Sequence, residues 1–263
     1  MMDLSAFETL LVHKNDKVWS VTLNRPAVAN AMNLKMVNEL SQVMDLAVEG
    51  GVRVLVLQGA AGNFYAGGDI KEMQAMAKDR QTLASMNRAF GTMIEKASQL
   101  PYVVVAVLQG AVLGGGLGLA CISDVAISDK SATFAMPETS LGIIPAQIAP
   151  FVVTRLGLTQ ARRLALLGLR ISASEALSIG LVQQVSGSPE ALEKDVDRLI
   201  KQVLRCAPDA TAMTKALLHQ VGNVPMDALL DQAAEDFVHT VAGEGREGAL
   251  AFAEKRKPEW SVT

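Results

Sequence analysis

The sequence predicts an α/β fold built as one continuous unit. Candidate strands alternate with short turns and candidate helices along much of the chain, and no Pro- or Ser-rich linker interrupts this order. The runs 53–57 and 103–108 are apolar without polar alternation, which is typical of parallel strands covered on both faces. Hydrophobic residues make up 50% of the 263 residues, so the chain can bury a large core.

A hairpin and a helix are the first elements that the sequence predicts. Residues 10–12 and 18–23 are apolar strand formers separated by a short polar segment, and this pattern favours a hairpin. Apolar residues then recur at helical spacing over 34–47. Asn33 is the expected N-cap, and Gly50-Gly51 is the expected end, because glycine tolerates the positive φ angles common at helix ends.

Glycine-rich segments follow the two apolar runs. Residues 59–68 follow the first run, and Gly114-Gly115-Gly116 lies shortly after the second and leads into an apolar helix. A helix is predicted over 82–99 and a further strand over 124–128.

The C-terminal third is predicted to be nearly all helical. Apolar residues at helical spacing predict helices over 148–168, 174–179, 190–205, 209–221 and 226–257. A helical region of this size is suited to packing against a neighbouring subunit.

Composition and charge argue against several classes of function. The formal net charge of −3 leaves no basic stripe for nucleic acid. The longest apolar stretch, 103–108, is far shorter than the roughly 18 residues that a membrane span needs. The N-terminal residues include Asp3 and Glu8 and do not look like a secretory signal. We therefore expect a cytoplasmic protein that binds neither nucleic acid nor membrane.

The cysteines and histidines predict neither a disulfide nor a metal site. Cys121 and Cys206 are the only cysteines, and their wide separation fits reduced thiols. His13, His219 and His239 have no metal-binding spacing among themselves or with the cysteines.

The two glycine clusters are candidate anion-binding loops. Ala66-Gly67-Gly68-Asp69 and Gly114-Gly115-Gly116 follow parallel strands, so both are expected at the C-terminal edge of the sheet. Unpaired N–H groups at such turns, with the helix dipole behind them, favour negative charge. One amide from each loop could bind a developing oxyanion. The alternative is that both clusters are tight turns and packing glycines.

Other glycine motifs fit poorly. A dinucleotide fingerprint would need glycine at Leu119, and the chain has neither a phosphate-binding loop nor a nucleophile elbow.

Glu138 is the candidate acid and base. It lies in Met136-Pro137-Glu138-Thr139 among apolar neighbours, where a carboxyl group would have a raised pKa. The alternative is a glutamate that merely starts a helix after Pro137. Asp69 and Asp124 are expected to be cap or turn residues.

Taken together, the motifs resemble the crotonase (enoyl-CoA hydratase/isomerase) family over nearly the whole chain. Seven segments match in the correct order: 21–26 with Asn30-Ala31, 64–70, 110–116, 124–127, Pro137-Glu138 with 141–145, 171–176 with 180–182, and 251–256. Seven ordered matches are specific, whereas one would be weak.

The resemblance implies an α/β spiral of ββα repeats over residues 1–200 and a helical trimerisation region over 201–263. It also implies a homotrimer or a dimer of trimers. No cofactor is implied, since coenzyme A is part of the acyl-CoA substrate.

The resemblance also implies roles for individual residues. The N–H groups of Gly68 and Gly115 would form the oxyanion hole, and Glu138 would move protons. The residues implied in binding the substrate or its CoA part are Arg25, Ala27, Ala29, Ala66, Gly68, Asp69, Ile70, Lys71, Leu113, Gly115, Pro137 and Lys255. Lys255 is expected to reach the CoA phosphates of an adjacent subunit.

One departure from the family concerns Gly118. Hydratases of the fatty-acid type carry two glutamates, and Gly118 stands where the first would be. The chain therefore resembles the single-glutamate isomerases of the family, and also bacterial hydratases of the 3-methylglutaconyl or isohexenylglutaconyl type. The segment 144–150 resembles the latter and favours hydration. Either Glu138 alone activates the water, or a polar helper such as Gln147 or Ser140 assists it.

The expected function is hydration of an α,β-unsaturated acyl-CoA, with a β-branched glutaconyl-type substrate from leucine or acyclic terpene breakdown. The first alternative is a Δ3-Δ2 enoyl-CoA isomerase that uses Glu138. The second is a catalytically silent acyl-CoA-binding subunit, since one expected acid is missing at Gly118.

Overall fold

The main sheet of the protein has six strands. The computed structural model describes residues 7–69, 72, 74–75 and 78–261. In chain order the strands of the whole structure are β1 (Leu10–Asn15), β2 (Val18–Leu23), β3 (Val54–Gly59), β4 (Val103–Leu108), β5 (Ala111–Leu113), β6 (Val125–Asp129), β7 (Thr133–Ala135), β8 (Arg170–Ser172) and β9 (Gln184–Ser186). The main sheet has the order β1-β2-β3-β4-β6-β9.

Pairing in this sheet is antiparallel only at its first edge. β1 and β2 form the predicted hairpin, and every later neighbour in the sheet is parallel, from β2–β3 to β6–β9. Val54 is paired with Val103, so β3 and β4 run side by side and end at the same edge. The loop after β3 therefore starts at the edge where β4 ends, as predicted. Gly114-Gly115-Gly116 differs from the prediction, because it follows β5 (Ala111–Leu113) of a second sheet and not β4.

A second, smaller sheet lies beyond that edge. Its order is β5-β7-β8, and an isolated parallel bridge between Tyr65 and Val112 attaches the segment after β3 to β5. The sequence did not predict β5, β7, β8 or β9. Each is three residues long, which is too short for a period of two to be recognised.

The helices agree closely with the predictions in the first part of the chain. They are α1 (Leu34–Glu49), α2 (Arg80–Ser98), α3 (Gly115–Ile122), α4 (Ala149–Leu167), α5 (Ala173–Ser178), α6 (Pro189–Val203), α7 (Pro208–Gln220), α8 (Met226–Ala242) and α9 (Glu244–Ala253). Asn33 is the N-cap of α1, as expected: its side chain accepts a hydrogen bond of 3.0 Å from the N–H of Met36.

The prediction of one continuous helix over 226–257 is wrong. Gly243, with φ −95° and ψ −113°, breaks it into α8 and α9. The break places the Glu244 carboxylate at the start of α7, where it accepts hydrogen bonds from the N–H groups of Asp209 at 3.0 Å and Ala210 at 2.9 Å. Helical periodicity did not reveal this tertiary cap.

Both faces of the parallel strands are buried, which explains the unbroken apolar runs. On β3, Leu55 and Leu57 pack into the large core with α1 and α2, whereas Val54 and Val56 pack into a smaller cluster. Leu192 of α6 belongs to that smaller cluster. Successive side chains of a strand point to opposite faces, so each face needs its own apolar set.

Across the described ranges, no helix combines the length and the apolar character needed to cross a membrane. The cytoplasmic location expected from the sequence stays a prediction.

Candidate active site

The loop that follows β3 is held by main-chain hydrogen bonds on two sides. On one side, Tyr65 donates to the carbonyl of Ala111 at 2.8 Å and accepts from the N–H of Leu113 at 2.9 Å. On the other side, Met32 donates to the carbonyl of Gly67 at 3.2 Å and accepts from Asp69 at 3.0 Å. Gly68 lies between these bonds, and within the described part of the chain its own N–H donates to no acceptor.

The second glycine loop begins α3. Gly114 has φ +53° and ψ −117°, and its N–H donates to the carbonyl of Ala135 at 2.9 Å. This backbone conformation is accessible mainly to glycine. Gly115 is the first residue of α3, so its N–H has no acceptor within the helix and points towards the helix start.

Glu138 closes the site from a third direction. It follows β7 and Pro137 and begins the 3₁₀ helix Glu138–Leu141. A Cβ atom built on Gly114 would lie 2.8 Å from Glu138 Oε1 and 4.0 Å from the Cα of Gly67. Both glycine loops and the carboxyl group therefore meet at Gly114, and this meeting leaves no space for a side chain there.

The environment of Glu138 disfavours its charged form. The residue is half-buried, and its Oε2 atom is buried without a hydrogen-bond partner within the described residues. Burial raises the pKa of this carboxyl group above its ordinary value. A carboxyl group with a raised pKa holds its proton more strongly than an exposed one, and it can both accept and return a proton in a reaction.

Tyr65 is a residue of this site that sequence reasoning missed. A Cβ built on Gly116 would lie 2.8 Å from Tyr65 Cβ, and one built on Gly115 would lie 2.6 Å from its hydroxyl oxygen. The ring therefore runs along the first turn of α3 with its hydroxyl group towards Gly115. The available signal was a bulky aromatic residue directly before Ala66-Gly67-Gly68.

The position of the missing acid is filled by apolar side chains. A Cβ built on Gly118 would lie 2.4 Å from Cγ2 of Ile148 and 3.0 Å from Cδ1 of Ile94. Gly118 is buried in α3. The departure at this position is therefore part of the packing, and the chain has no vacant space where the first glutamate would stand.

The two suggested polar helpers point to different neighbours. The Oγ atom of Ser140 lies 2.3 Å from a Cβ built on Gly168, so Ser140 is turned towards the end of α4. The Nε2 atom of Gln147 donates to Oδ1 of Asn87 at 2.8 Å, and the Gln147 side chain lies over Gly91 of α2. Within the described residues, neither side chain forms a hydrogen bond with the Glu138 carboxyl group.

The residues predicted to hold CoA form two connected segments. The Arg25 guanidinium pairs with Asp69 Oδ2 at 2.9 Å and donates to the carbonyl of Ala31 at 2.5 Å. The N–H of Ala66 donates to the carbonyl of Ala29 at 3.1 Å. Arg25 thus ties the segment 25–31 to the loop after β3.

Several other predicted binding residues lie beside these segments. Ala27 is exposed in the 3₁₀ helix Pro26–Val28. Leu113 and Pro137 directly precede Gly114 and Glu138. Ile70 and Lys71 lie outside the described residues. Lys255 is exposed beyond the end of α9, and its contact with an adjacent subunit's CoA stays a prediction.

The two aspartates have structural contacts, as expected. Asp69 also accepts a hydrogen bond of 3.3 Å from the N–H of Glu72, which fits the predicted turn or cap role. Asp124 accepts from the N–H of Val104 at 2.7 Å and pairs with Lys215 at 2.8 Å.

Neither a metal site nor a reactive thiol at Cys121 is found among the described residues. Among the residues that the structure describes, no three His, Cys, Asp or Glu side chains are grouped so that they could hold a metal ion. Burial raises the pKa of Cys121 to about 12, so its thiol is unreactive at neutral pH.

Comparisons with known proteins agree with this arrangement. The sequence profile of the family described as Enoyl-CoA hydratase/isomerase matches residues 13–262. The crystal structure of an enoyl-CoA hydratase/isomerase from Marinobacter aquaeolei superposes with a TM-score of 0.94 at 52% identity, covering 97% of this chain and 100% of that chain.

Two curated relatives cover almost the same length. The 2,3-dehydroadipyl-CoA hydratase of Escherichia coli is 32% identical, over 95% of this chain and 98% of its own. The trans-2-decenoyl-[acyl-carrier-protein] isomerase of Streptococcus mutans is 29% identical, over 97% and 98%.

We predict that Gly118→Glu destabilises the protein and adds no catalytic acid. The new side chain would meet Ile148 and Ile94, and its carboxyl group would be buried among apolar atoms. We expect a loss of about 2–5 kcal/mol in the free energy of unfolding, measured by urea denaturation.

Gly187→Glu is the matched control for this variant. No atom lies within 4 Å of a Cβ built on Gly187, so the same charge is added in open space. Unchanged stability of Gly118→Glu, or faster hydration by it, would contradict the packing interpretation.

Proposed function

The chain is an enzyme that belongs to the enoyl-CoA hydratase/isomerase family, and from this premise we propose that it adds water to the double bond of an α,β-unsaturated acyl-CoA. The observation that carries the proposal is that the loop after β3 and the half-buried Glu138 carboxyl group both approach Gly114. The neighbouring N–H groups of Gly68 and Gly115 donate to no acceptor among the described residues. The reaction needs two features close together: donors that bind the oxyanion of the enolate, and a group that accepts a proton.

In the proposed reaction, the N–H groups of Gly68 and Gly115 bind the thioester oxygen. Glu138 takes a proton from water while the water oxygen bonds to Cβ, and the π electrons of the double bond move to give the enolate. Glu138 then returns a proton to Cα, so that one water molecule has been added. An oxyanion donor at such a site contributes about 2.7–4 kcal/mol to lowering the barrier.

The helix behind Gly115 supports this assignment. The start of α3 carries partial positive charge, which stabilises negative charge near its first N–H groups. The backbone donors are fixed by hydrogen bonds of the flanking residues, so little reorganisation is needed when the charge develops.

For the substrate, we propose a β-branched acyl-CoA with a free carboxylate, of the glutaconyl type. A curated relative is named as a 2,3-dehydroadipyl-CoA hydratase. Dehydroadipyl-CoA is the thioester of a dicarboxylic acid and keeps one free carboxylate. Arg88 of α2 offers a cation two residues before Phe90, whose ring reaches Gly115; the Arg88 Nη1 atom lies 2.8 Å from a Cβ built on Gly91, beside Gln147. Its exposed ion pair with Glu95, at 3.3 Å, is weak enough to be exchanged for a ligand carboxylate.

Double-bond isomerisation is the second candidate function. It needs a single acid–base group that moves a proton between two carbons, and Glu138 is the one such group in the described part of the site. A curated relative is named as an isomerase. Family membership and the hydratase relative favour either enzyme over the silent acyl-CoA-binding subunit considered from the sequence.

For the assembly, we propose a homotrimer or a dimer of trimers that uses the C-terminal helical region, 201–263. The helices α8 and α9 expose several large apolar side chains, including Leu230 at 60%, Phe237 at 68% and Phe252 at 87% exposure. Apolar surface of this kind is typical of contacts between subunits.

We expect Glu138→Gln to lower kcat for hydration by about 10²–10⁴-fold, because it removes the only proposed proton acceptor. The wild-type rate should fall as the pH is lowered through the raised pKa of Glu138, so its acid limb should lie above the ordinary glutamate value of 4.5. The measurement is a pH profile of kcat for both proteins.

Stability provides a second readout for this variant. The pKa of Glu138 is higher in the folded protein than in the unfolded chain. The charged carboxylate therefore destabilises the fold at pH values above the pKa of the unfolded chain. This destabilisation disappears when the pH falls below the pKa of the unfolded chain. Glu138→Gln should therefore unfold at the same temperature as the wild type or a higher one at pH 7. The control is Glu95→Gln on the exposed face of α2, and equal kcat losses in the two variants would contradict the assignment.

Three substrates separate the two candidate reactions. We expect crotonyl-CoA and 3-methylglutaconyl-CoA to lose the absorbance of the conjugated thioester, because water adds across the double bond. The higher kcat/KM is expected for the carboxylated substrate. A gain of absorbance from a 3-enoyl-CoA, without loss from the other two, would instead establish isomerisation.

We also predict a particle mass of three or six times the 27.9 kDa chain mass by light scattering. Phe237→Asp should shift the assembly towards smaller species, because it places a charge in the proposed contact. Leu11→Asp on β1, where the side chain is 56% exposed, is the matched control. A monomeric wild-type protein would refute the assembly.

A further inference from the structure

The Tyr65 hydroxyl is a polar group beside the site to which the proposed reaction assigns no role. Tyr65 is 3% exposed as a residue, and no hydrogen bond joins its hydroxyl group to the described residues. Its hydroxyl oxygen is not one of the fully enclosed unpaired side-chain atoms of the described structure, which are Ser128 Oγ, Glu138 Oε2 and Arg155 Nε. Phenol groups in largely buried residues usually have a protein partner. A hydroxyl group that has none and lies next to a catalytic loop is available to a ligand.

The other tyrosine of the chain shows the ordinary situation. Tyr102 is 2% exposed, and its hydroxyl group donates to the carbonyl of Met44 at 3.2 Å. The two residues are equally buried, so burial alone does not explain why Tyr65 lacks a partner.

The Tyr65 ring is fixed against α3. Its Cβ end lies over Gly116, and its hydroxyl end lies over Gly115, where Cζ of Phe90 is also 2.9 Å from a built Cβ. The hydroxyl oxygen lies 2.6 Å from that built Cβ, which places it within about 4 Å of the Cα of Gly115. The group therefore lies at the start of α3, beside one of the two N–H groups assigned to the thioester oxygen.

The protonation state suits a donor. Burial, with a smaller contribution from the charge of Glu138, raises the pKa of the Tyr65 phenol above its ordinary value. The group keeps its proton at neutral pH and donates it in a hydrogen bond without being ionised.

Building on the proposed function, we propose that Tyr65 is a further catalytic residue, whose hydroxyl group donates a third hydrogen bond to the thioester oxygen beside the N–H groups of Gly68 and Gly115. No proton is transferred from Tyr65. Its hydrogen bond strengthens as the oxygen gains negative charge, so it stabilises the enolate more than the bound substrate.

The test is Tyr65→Phe, which keeps the ring and removes only the hydroxyl group. Two reactions are measured: hydration, and exchange of the α-protons of butyryl-CoA in D₂O by NMR. In the exchange, Glu138 breaks the Cα–H bond, the enolate forms, and Cα takes a deuteron, with no water added. We expect kcat for hydration and the exchange rate to fall together by about 10–100-fold, while KM changes by less than about threefold.

The matched control is Tyr102→Phe. It removes the other phenol hydroxyl of the chain and a hydrogen bond in the core, so it should lower the melting temperature and leave kcat and the exchange rate unchanged. Unchanged rates in Tyr65→Phe would overturn the proposal. A loss of hydration with wild-type exchange would also overturn it, because the hydroxyl would then serve the water and not the oxyanion.

A second measurement uses a folded protein with its hydroxyl group intact. In the Tyr102→Phe variant, Tyr65 is the only tyrosine, so 3-fluorotyrosine gives a single ¹⁹F resonance. We expect this resonance to shift when butyryl-CoA binds, and an unshifted resonance at saturation would overturn the proposal. If the wild-type protein exchanges the α-protons but does not hydrate, the proposed hydratase function fails. The exchange rate of Tyr65→Phe and the ¹⁹F shift then still decide the role of Tyr65.

Discussion

The site depends on one close approach, at the Cα of Gly114. The loop after β3, the start of α3 and the Glu138 carboxyl group meet there, and a single added methyl group would lie 2.8 Å from Oε1. The contact is possible because Gly114 has no side chain and adopts φ +53°. β3 and β4 end at the same edge, and the parallel bridge between Tyr65 and Val112 joins the loop after β3 to β5, which leads into Gly114. Main-chain hydrogen bonds thus position both loops.

Burial without pairing gives the site its chemical character. Within the described structure, Glu138 Oε2 is buried without a hydrogen-bond partner, and the N–H groups of Gly68 and Gly115 donate to no acceptor. The Tyr65 hydroxyl lies beside them and makes no hydrogen bond to a described residue. In a folded protein such unpaired groups cost stability. Their concentration in one small region is consistent with a site whose partners arrive with the substrate.

One turn further along α3, at Gly118, the helix is tightly packed by apolar side chains. The space that a side chain at Gly118 would occupy is filled by Ile148 from the start of α4 and Ile94 from α2. A second acid would need both isoleucines to move, so proton transfer in the described site falls to Glu138. The same helix thus presents an open polar first turn and a closed apolar second turn, and this contrast separates the chain from the two-glutamate members of its family.

The sequence by itself determined the parallel strands, the main helices, the two glycine loops and Glu138, because apolar periodicity and glycine clusters are local signals. Local signals did not determine the three-residue strands of the second sheet or the break at Gly243, which depend on partners distant in the chain. Tyr65 could not be distinguished from an ordinary core aromatic before the fold placed it beside Gly115. Only the tertiary structure decided which polar groups lack a partner, since a missing hydrogen bond is a property of the surroundings and not of the residue.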